Sequence, residues 1–268
     1  MRILFLGDII GLSGCKAIKQ HLPIQIKKNK IDFVIVNGEN SAEQGVGITE
    51  KIANNLFDSG VNVITSGNHI WDQKETANYI EKEDRLLRPY NSLSPAPGKG
   101  FKIYPLNHGL KIGVLNLMGN MFMKKSKNVF IEAKKFLENH CLKKNYDFLV
   151  LDFHAETSSE KMAMGHFFDS KATLVVGTHT HVPTNDARIL ENGTAYQTDA
   201  GMTGNYNSVM GYDKNIFIKK FLKEDIKKNF PKANNISLCG TIVDADLETG
   251  LAKNIESFIF GGELKNSH

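Results

Sequence analysis

Five short segments of the chain end in residues of types that bind metal ions, and at least four of them follow an apolar run typical of a buried β-strand. The segments are Gly7-Asp8, Gly38-Glu39-Asn40, Gly67-Asn68-His69, Phe153-His154-Ala155-Glu156 and Gly177-Thr178-His179-Thr180-His181. Open α/β sheets place ligands at the carboxyl ends of their strands, so five such endings in order indicate one shared site. Carboxylate, amide and imidazole groups without a thiolate favour a pair of first-row metals such as Fe, Mn, Zn or Co over Ca²⁺ or a structural zinc.

The endings differ in how specific they are. Asp8 and Asn40 could equally cap a helix or hold a turn. Glu39 follows a strongly apolar strand, where a carboxylate needs a cation or a salt bridge. The glycine before Asn68 permits a tight turn, so that the Asn68 amide oxygen can coordinate a metal. His69 then points elsewhere and is predicted to contact substrate, the alternative being that it packs under a loop.

The histidines of the last two segments are further candidate nitrogen ligands, although His154 taken alone would fit a satisfied core histidine. His179 and His181 are two residues apart, which in an extended segment puts both imidazoles on one face. His154 follows its own strand and joins the set as a further ligand. Asp72, three residues after His69, either orients that imidazole or caps the helix that follows.

The elements that carry these residues alternate between strands and helices. Strands are predicted over 2–7, 32–37, 61–66, 101–105, 111–117, 148–153, 173–177, 188–190, 194–198, 237–246 and 251–260, and helices over 11–30, 49–59, 72–81, 129–145 and 158–168. The early β-α-β-α-β rhythm predicts a largely parallel sheet covered by helices. The late hairpins add antiparallel strands, which favours an α/β fold of four layers, an αββα sandwich of two facing mixed sheets. We expect a single domain over residues 1–268.

Composition excludes several classes of protein. The chain has 268 residues, is 41% hydrophobic and carries a net charge of +4, with its lysines dispersed rather than gathered in a basic run, so a nucleic-acid surface is not indicated. Three cysteines without a CxxC pair argue against a disulfide framework. With neither a signal-type N-terminus nor an apolar run of about 18 residues, we expect a cytoplasmic protein and no membrane partner. A homo-oligomer is left open.

The motifs together resemble the calcineurin-like metallophosphoesterase superfamily, whose pattern is D-x-H, G-D, G-N-H, H and G-H-x-H at strand ends. Two departures, Ile10 in place of the first histidine and Glu39-Asn40 in place of the second aspartate, are similar to the YmdB-like branch of bacterial phosphodiesterases. Further segments are similar to that branch, among them Gly67-Asn68-His69-Ile70-Trp71-Asp72 and the stretch from Thr198 to Gly204. The resemblance covers nearly the whole chain.

The resemblance implies a dinuclear centre in which Glu39 bridges the two metals. Metal one would take Asp8, Glu39, Asn40 and His181; metal two would take Glu39, Asn68, His154 and His179. Iron is the first expectation for both ions, with Mn or Zn as alternatives. The implied activity is hydrolysis of cyclic nucleotides, 2′,3′ or 3′,5′, by a hydroxide that bridges metals roughly 3.5–4 Å apart.

His69 would stabilise the phosphate charge or protonate the leaving oxygen. Gly201 and Thr203, in a glycine-rich segment, are predicted to line the substrate pocket, the alternative being plain loop structure. Two rival functions remain at this point. One is a phosphomonoesterase or protein phosphatase; the other is a metal-containing nucleotide-binding regulatory protein with little turnover.

Overall fold

The computed structural model describes residues 1–225 and 234–267. Its strands are β1 (Arg2–Leu6), β2 (Asp8–Ile9), β3 (Phe33–Asn37), β4 (Val63–Thr65), β5 (Phe101–Pro105), β6 (Lys111–Met118), β7 (Phe148–His154), β8 (Leu174–Thr178), β9 (Arg188–Ile189), β10 (Ala195–Gln197), β11 (Met202–Asn205), β12 (Ile236–Ala245) and β13 (Ala252–Phe260). Its α-helices are α1 (Gly11–Asn29), α2 (Glu50–Asp58), α3 (Thr76–Tyr79), α4 (Val129–Asn139), α5 (Ser158–Phe167) and α6 (Lys214–Phe221).

The strands form two mixed sheets. The first has the order β2-β11-β12-β1-β3-β4, with β13 also paired to β12. Strands β1, β3 and β4 run parallel, whereas β12 is antiparallel to β1. The second has the order β5-β6-β7-β8-β10-β9, in which the central strands β6, β7, β8 and β10 are parallel. Parallel strands bring their carboxyl ends to one edge of each sheet, which is where the predicted ligands follow.

Three buried apolar clusters hold these elements together. One joins alternate residues of the first sheet, such as Leu4 and Leu6, to α1 and α2. The second brings residues from both sheets together, among them Phe5 from β1 and Phe148 from β7. The third joins the other face of the second sheet to α4 and α5. The alternation along β1, with Leu4 in one cluster and Phe5 in another, follows from the two-residue period of a strand.

Most predicted elements are present with bounds that differ by one or two residues. Thr49 caps α2, because its side chain accepts a hydrogen bond from Ile52 N. Pro23 lies inside one continuous helix, α1. None of the helices in the described ranges has the length and apolar character that a membrane span requires.

Two predicted helices were too long. The helix expected over 72–81 is only the four residues Thr76–Tyr79, because Asp72 and Gln73 are used in contacts with neighbouring loops. The helix expected over 129–145 ends at Asn139, where His140 leaves the helical conformation and stacks on Phe136 with ring centroids 4.4 Å apart. Sequence reasoning also missed the short strands β2 and β11 and the helix α6.

Candidate metal centre

All seven predicted metal ligands lie along the carboxyl ends of strands from both sheets. Asp8 follows β1, Glu39 and Asn40 follow β3, and Asn68 follows β4 in the first sheet. His154 is the last residue of β7, and His179 and His181 follow β8 in the second sheet. The site is therefore assembled across the crevice between the two sheets, and Asp8, Glu39 and His154 are completely buried there.

One half of the site is centred on His154. Its Nε2 lies 3.0 Å from Glu39 Oε1, 3.1 Å from Asn68 Oδ1 and 3.0 Å from His179 Nδ1. Glu39, His154 and His179 each offer a ligand atom within 4.8 Å of the others. Carboxylate and amide oxygens only accept hydrogen bonds, so a proton or a cation must sit between them and the imidazole nitrogens.

The other half is centred on Asn40 and His181. Asn40 Nδ2 lies 3.3 Å from Glu39 Oε1 and 3.2 Å from His181 Nε2. Asp8 Oδ1 lies 3.7 Å from the same nitrogen of His181. A cation here would require Asn40 to present its amide oxygen, which a rotation of the amide provides. Glu39 reaches both halves of the site.

Two observations indicate that these residues fit metal ions. Within residues 1–225 and 234–267, Asp8 Oδ1 is a buried carboxylate oxygen without a hydrogen-bond partner, a costly state that a cation would relieve. Gly67 leaves room for the cluster, since a Cβ there would collide with the imidazole of His154 and with Glu39 Oε2. Buried oxygens and imidazoles without a thiolate suit first-row metals.

The pKa values of these groups follow from burial and from their mutual charges. Burial raises the pKa of Asp8. Burial would also raise the pKa of Glu39, but His154 and the backbone N–H of His69 lower it to about 2. Burial lowers the pKa of His154, yet the carboxylates of Glu39 and Asp8 outweigh this effect and raise it to about 9. In His179, burial and the neighbouring His154 lower the pKa to about 3, which leaves a neutral imidazole able to bind a metal.

A buried polar layer beneath the site fixes the ring of His154. Thr178 Oγ1 donates to Asp152 Oδ1 (2.8 Å), so the same hydroxyl oxygen can accept from His154 Nδ1, 2.8 Å away. Asp152 also accepts from Asn37 and Thr65 of the first sheet. With its Nδ1–H held in this way, His154 directs Nε2 toward the site, where a metal ion would displace the proton on that nitrogen.

A buried ion pair anchors the turn that carries His179 and His181. Lys161 Nζ donates to Asp199 Oδ2 at 2.6 Å, and each side chain is only 1% exposed. Thr180, between the two histidines, donates to the same carboxylate oxygen through its backbone N (3.2 Å) and its hydroxyl (2.7 Å). The anchor matters because His179 and His181 have φ values of 97° and 64°, in the left-handed region that costs non-glycine residues energy.

His69 lies at the rim of the site, with its side chain 30% exposed. Its backbone N donates to Glu39 Oε2 (3.0 Å), and its Nδ1 lies 2.6 Å from Asp72 Oδ2. Of the two roles considered for Asp72, the structure has the contact that orients the imidazole of His69. Burial would raise the pKa of Asp72, but hydrogen bonds from His69 and Lys124 lower it. Because Asp72 accepts from Nδ1–H, the Nε2 of His69 is the nitrogen available to a ligand.

At several other positions, the contacts in the structure differ from the roles predicted from the sequence or were not predicted at all. Gly201 and Thr203 are buried, and Thr203 belongs to the strand β11, so their role in substrate binding stays a prediction. Glu156 was recognised as a strand ending but not as a partner, and its Oε2 lies 3.1 Å from His179 Nε2. The ion pair of Lys161 with Asp199 was not predicted. A lysine on an apolar helix face was the sequence signal that could have indicated a buried partner for Lys161.

Two cavities differ in their position relative to the candidate centre. A cavity of about 820 Å³ lies between α1 and α2, and none of the predicted metal ligands lines it. A second, of about 360 Å³, is lined by Gly67 and Asn68 and so adjoins the candidate centre. By size alone, the cavity between α1 and α2 would be the candidate functional cavity. The smaller cavity is favoured instead, because it is lined by the predicted ligand Asn68.

The chain is similar to known proteins along nearly its whole length. The family model described as "YmdB-like protein" matches residues 4–258. A Bacillus subtilis (strain 168) protein named 2′,3′-cyclic-nucleotide 2′-phosphodiesterase is 42% identical over 264 residues, which are 98% of this chain and 98% of that protein.

Two crystal structures are similar along nearly the whole chain. A protein from Thermus thermophilus, titled hypothetical, is 34% identical with a TM-score of 0.89, covering 98% of this chain and all of that one. A Mycoplasma pneumoniae protein titled a novel phosphatase has the same identity and TM-score, covering 98% of this chain and 94% of that one.

Proposed function

This chain belongs to the YmdB-like protein family, and we propose that it is a metal-dependent phosphodiesterase that hydrolyses 2′,3′-cyclic nucleotides. The observation that carries the proposal is the convergence of the seven predicted ligands on one crevice. Among them, Glu39, His154 and His179 are close enough to hold one cation, and Asp8 contributes a buried carboxylate oxygen without a hydrogen-bond partner in the described residues. The name of the relative with 42% identity supports a cyclic-nucleotide substrate. By the same analogy, the bond cleaved is the one from phosphorus to the 2′ oxygen.

The proposal assigns the ligands to two sites. Asp8, Asn40 and His181 would hold one ion, and Asn68, His154 and His179 the other, with Glu39 contacting both because its Oε1 approaches His154 and Asn40 alike. We take the ions to be iron, with manganese or zinc as substitutes. Two bound cations would supply a water molecule of lowered pKa and neutralise the charge of the phosphate.

The protein's own groups orient and protonate the substrate. Thr178 and Asp152 hold His154 in the tautomer that presents Nε2, and Asp199 holds the turn of His179 and His181. His69 is the candidate general acid, because Asp72 fixes its Nδ1–H and leaves Nε2 near the rim. From that position it would donate a proton to the departing ribose oxygen or stabilise charge on phosphorus.

The three clusters of buried residues support a four-layer αββα sandwich, which we propose as a single domain over residues 1–268. A protein phosphatase is less favoured because the cavity beside Asn68, about 360 Å³, is of small-molecule size. We propose the cytoplasm as its location, because three cysteines without a CxxC pair suit a reducing compartment.

The test is hydrolysis of 2′,3′-cyclic AMP, 3′,5′-cyclic AMP and bis(p-nitrophenyl) phosphate by protein of measured metal content. Metal-dependent turnover of the 2′,3′ compound, lost in Glu39→Ala, is expected. His69→Ala should lower kcat by about 10²–10⁴-fold, the range for general acid catalysis, with metal content retained. Two bound metals with no turnover of any diester would refute the proposal in favour of a regulatory nucleotide-binding protein.

A further inference from the structure

We infer that the cavity beside Asn68 is the subsite for the nucleobase of the substrate, with Trp71 as its aromatic wall. The inference rests on the proposed function and adds the group that the enzyme recognises besides the phosphate. The cavity has a volume of about 360 Å³ and is lined by Gly67 and Asn68, so it adjoins the candidate metal centre. A volume near 300 Å³ or more is typical of cavities that enclose small ligands.

The lining of the cavity is largely apolar. Trp71, Leu93, Pro95, Pro97 and Met118 contribute to its walls. Trp71 and Leu93 are large apolar side chains that remain 38% and 48% exposed, although the chain has enough core to bury them. A planar base has two apolar faces and stacks on aromatic rings whatever its edge pattern, so this lining fits a base better than it fits a second phosphate.

The wall formed by residues 89–97 is held in place by buried polar contacts. The guanidinium of Arg88 donates to the carbonyl oxygens of Pro97 (3.1 Å) and Pro89 (2.8 Å). Asn91, fully buried, donates to Met118 O at 2.7 Å and accepts from Met118 N at 2.9 Å. A wall fixed in this manner can bind a ligand without the cost of ordering a loop.

Lys124 connects the cavity to the rim of the centre. Its Nζ donates to the backbone oxygen of Asn68 (2.6 Å) and to Asp72 Oδ1 (3.2 Å), and Asp72 is the partner of His69. Lys124 therefore lines the cavity and also contacts the rim of the candidate centre. One ribose would bridge the two, with the cyclic phosphate at the metals and the base against Trp71. This arrangement selects a nucleoside cyclic phosphate over a phosphoprotein.

Trp71 is the chain's single tryptophan, so its fluorescence reports on this cavity without interference. Titration of the wild-type protein with adenosine 3′-monophosphate, and with adenosine alone, should quench that fluorescence, whereas inorganic phosphate should not. No quenching by either nucleoside compound, or equal quenching by phosphate, would overturn the inference.

Kinetics supply the second test. Trp71→Ala should lower the ratio of kcat/KM for 2′,3′-cyclic AMP to kcat/KM for glycerol 1,2-cyclic phosphate, a cyclic diester without an aromatic ring, on the order of tenfold. Trp71→Phe should restore most of this ratio. Ile24→Ala, an exposed apolar residue on α1 that does not line the cavity, should leave the ratio unchanged. An unchanged ratio in Trp71→Ala would overturn the subsite while wild-type turnover upheld the proposed function. If the wild type hydrolyses no diester, the proposed function fails, and the fluorescence titration still decides whether the cavity binds a nucleoside.

Discussion

Replacing Lys161 with methionine should destabilise the fold and loosen the metal centre together. The change keeps a long side chain in the same space but removes the ammonium group that lies 2.6 Å from Asp199 Oδ2. Asp199 stays buried and, among the residues that the structure describes, retains three donors: the backbone and hydroxyl of Thr180, and Gly201 N. Its negative charge is then without a countercharge.

Removal of one partner of a buried ion pair costs about 3–5 kcal/mol. The three remaining donors place the expected loss in Lys161→Met near the lower end, about 3 kcal/mol of the free energy of unfolding. The double variant Lys161→Met/Asp199→Asn removes both charges and should lose less than the sum of the two single variants, since the buried charge is no longer present. Urea unfolding of the metal-free proteins measures all three.

The same variant tests the link from the ion pair to the centre. If Asp199 shifts, Thr180 loses its anchor, and the left-handed conformations of His179 and His181 can relax away from the site. We therefore expect Lys161→Met to bind less metal per chain, as measured by inductively coupled plasma mass spectrometry. Lys135→Met is the matched control, because Lys135 pairs with Glu132 at the surface at a similar distance, 2.8 Å. Full stability and full metal content in Lys161→Met would refute the reasoning.

Three further predictions concern the centre itself. Gly67→Ala should abolish metal binding, because the new Cβ would collide with the ring of His154. In Gly109→Ala, the φ of 75° strains the alanine and lowers stability, but the Cβ meets nothing within 4 Å, so metal content should stay near that of the wild type. Retained metal in Gly67→Ala would contradict the assignment. Thr178→Val removes the hydroxyl between His154 and Asp152 and should weaken metal affinity about 10–100-fold, whereas Thr178→Ser should keep it. Equal metal affinities of the two variants in a titration would show that the hydroxyl does not orient His154. The carboxylates around His154 outweigh its burial and raise its pKa to about 9, so a metal must displace a proton, and affinity should rise as the pH increases from about 6.5 to 9. Calorimetry in buffers of different ionisation enthalpy should detect proton release near neutral pH, and none would argue against this protonation state.

The positions of the ligands could be predicted from the sequence because they depend on local pattern. An apolar run followed by a small residue and a polar one marks the carboxyl end of a buried strand, and parallel pairing then brings such ends together. Asp8, Glu39 and His154 all lie where this reasoning puts them. The partner of His69 was also within reach, since Asp72 is only three residues away.

The supporting contacts could not be predicted because they join distant parts of the chain. Lys161 and Asp199 are 38 residues apart, and nothing in either segment indicates the other. In the sequence, Asp152 is indistinguishable from an ordinary strand residue. Its role depends on contacts with Asn37 and Thr65 of the other sheet, which the sequence does not indicate. The excess length predicted for α3 has the same origin, since contacts of Gln73 with the loop at Val46 override helical propensity.

The position of β1 between β3 and β12 has a consequence for synthesis of the chain on the ribosome. Ala245 N donates to Met1 O, which joins residues 244 positions apart. The first sheet is therefore incomplete until the hairpin of β12 and β13 has left the ribosomal exit tunnel. Until then one edge of β1, a strand of sequence RILFL, lacks its antiparallel neighbour and can pair with other chains. Asp8 is thus among the first of the candidate ligands to be translated but among the last to be fixed, so we expect the candidate metal centre to assemble at the end of folding, after most of the polypeptide has emerged.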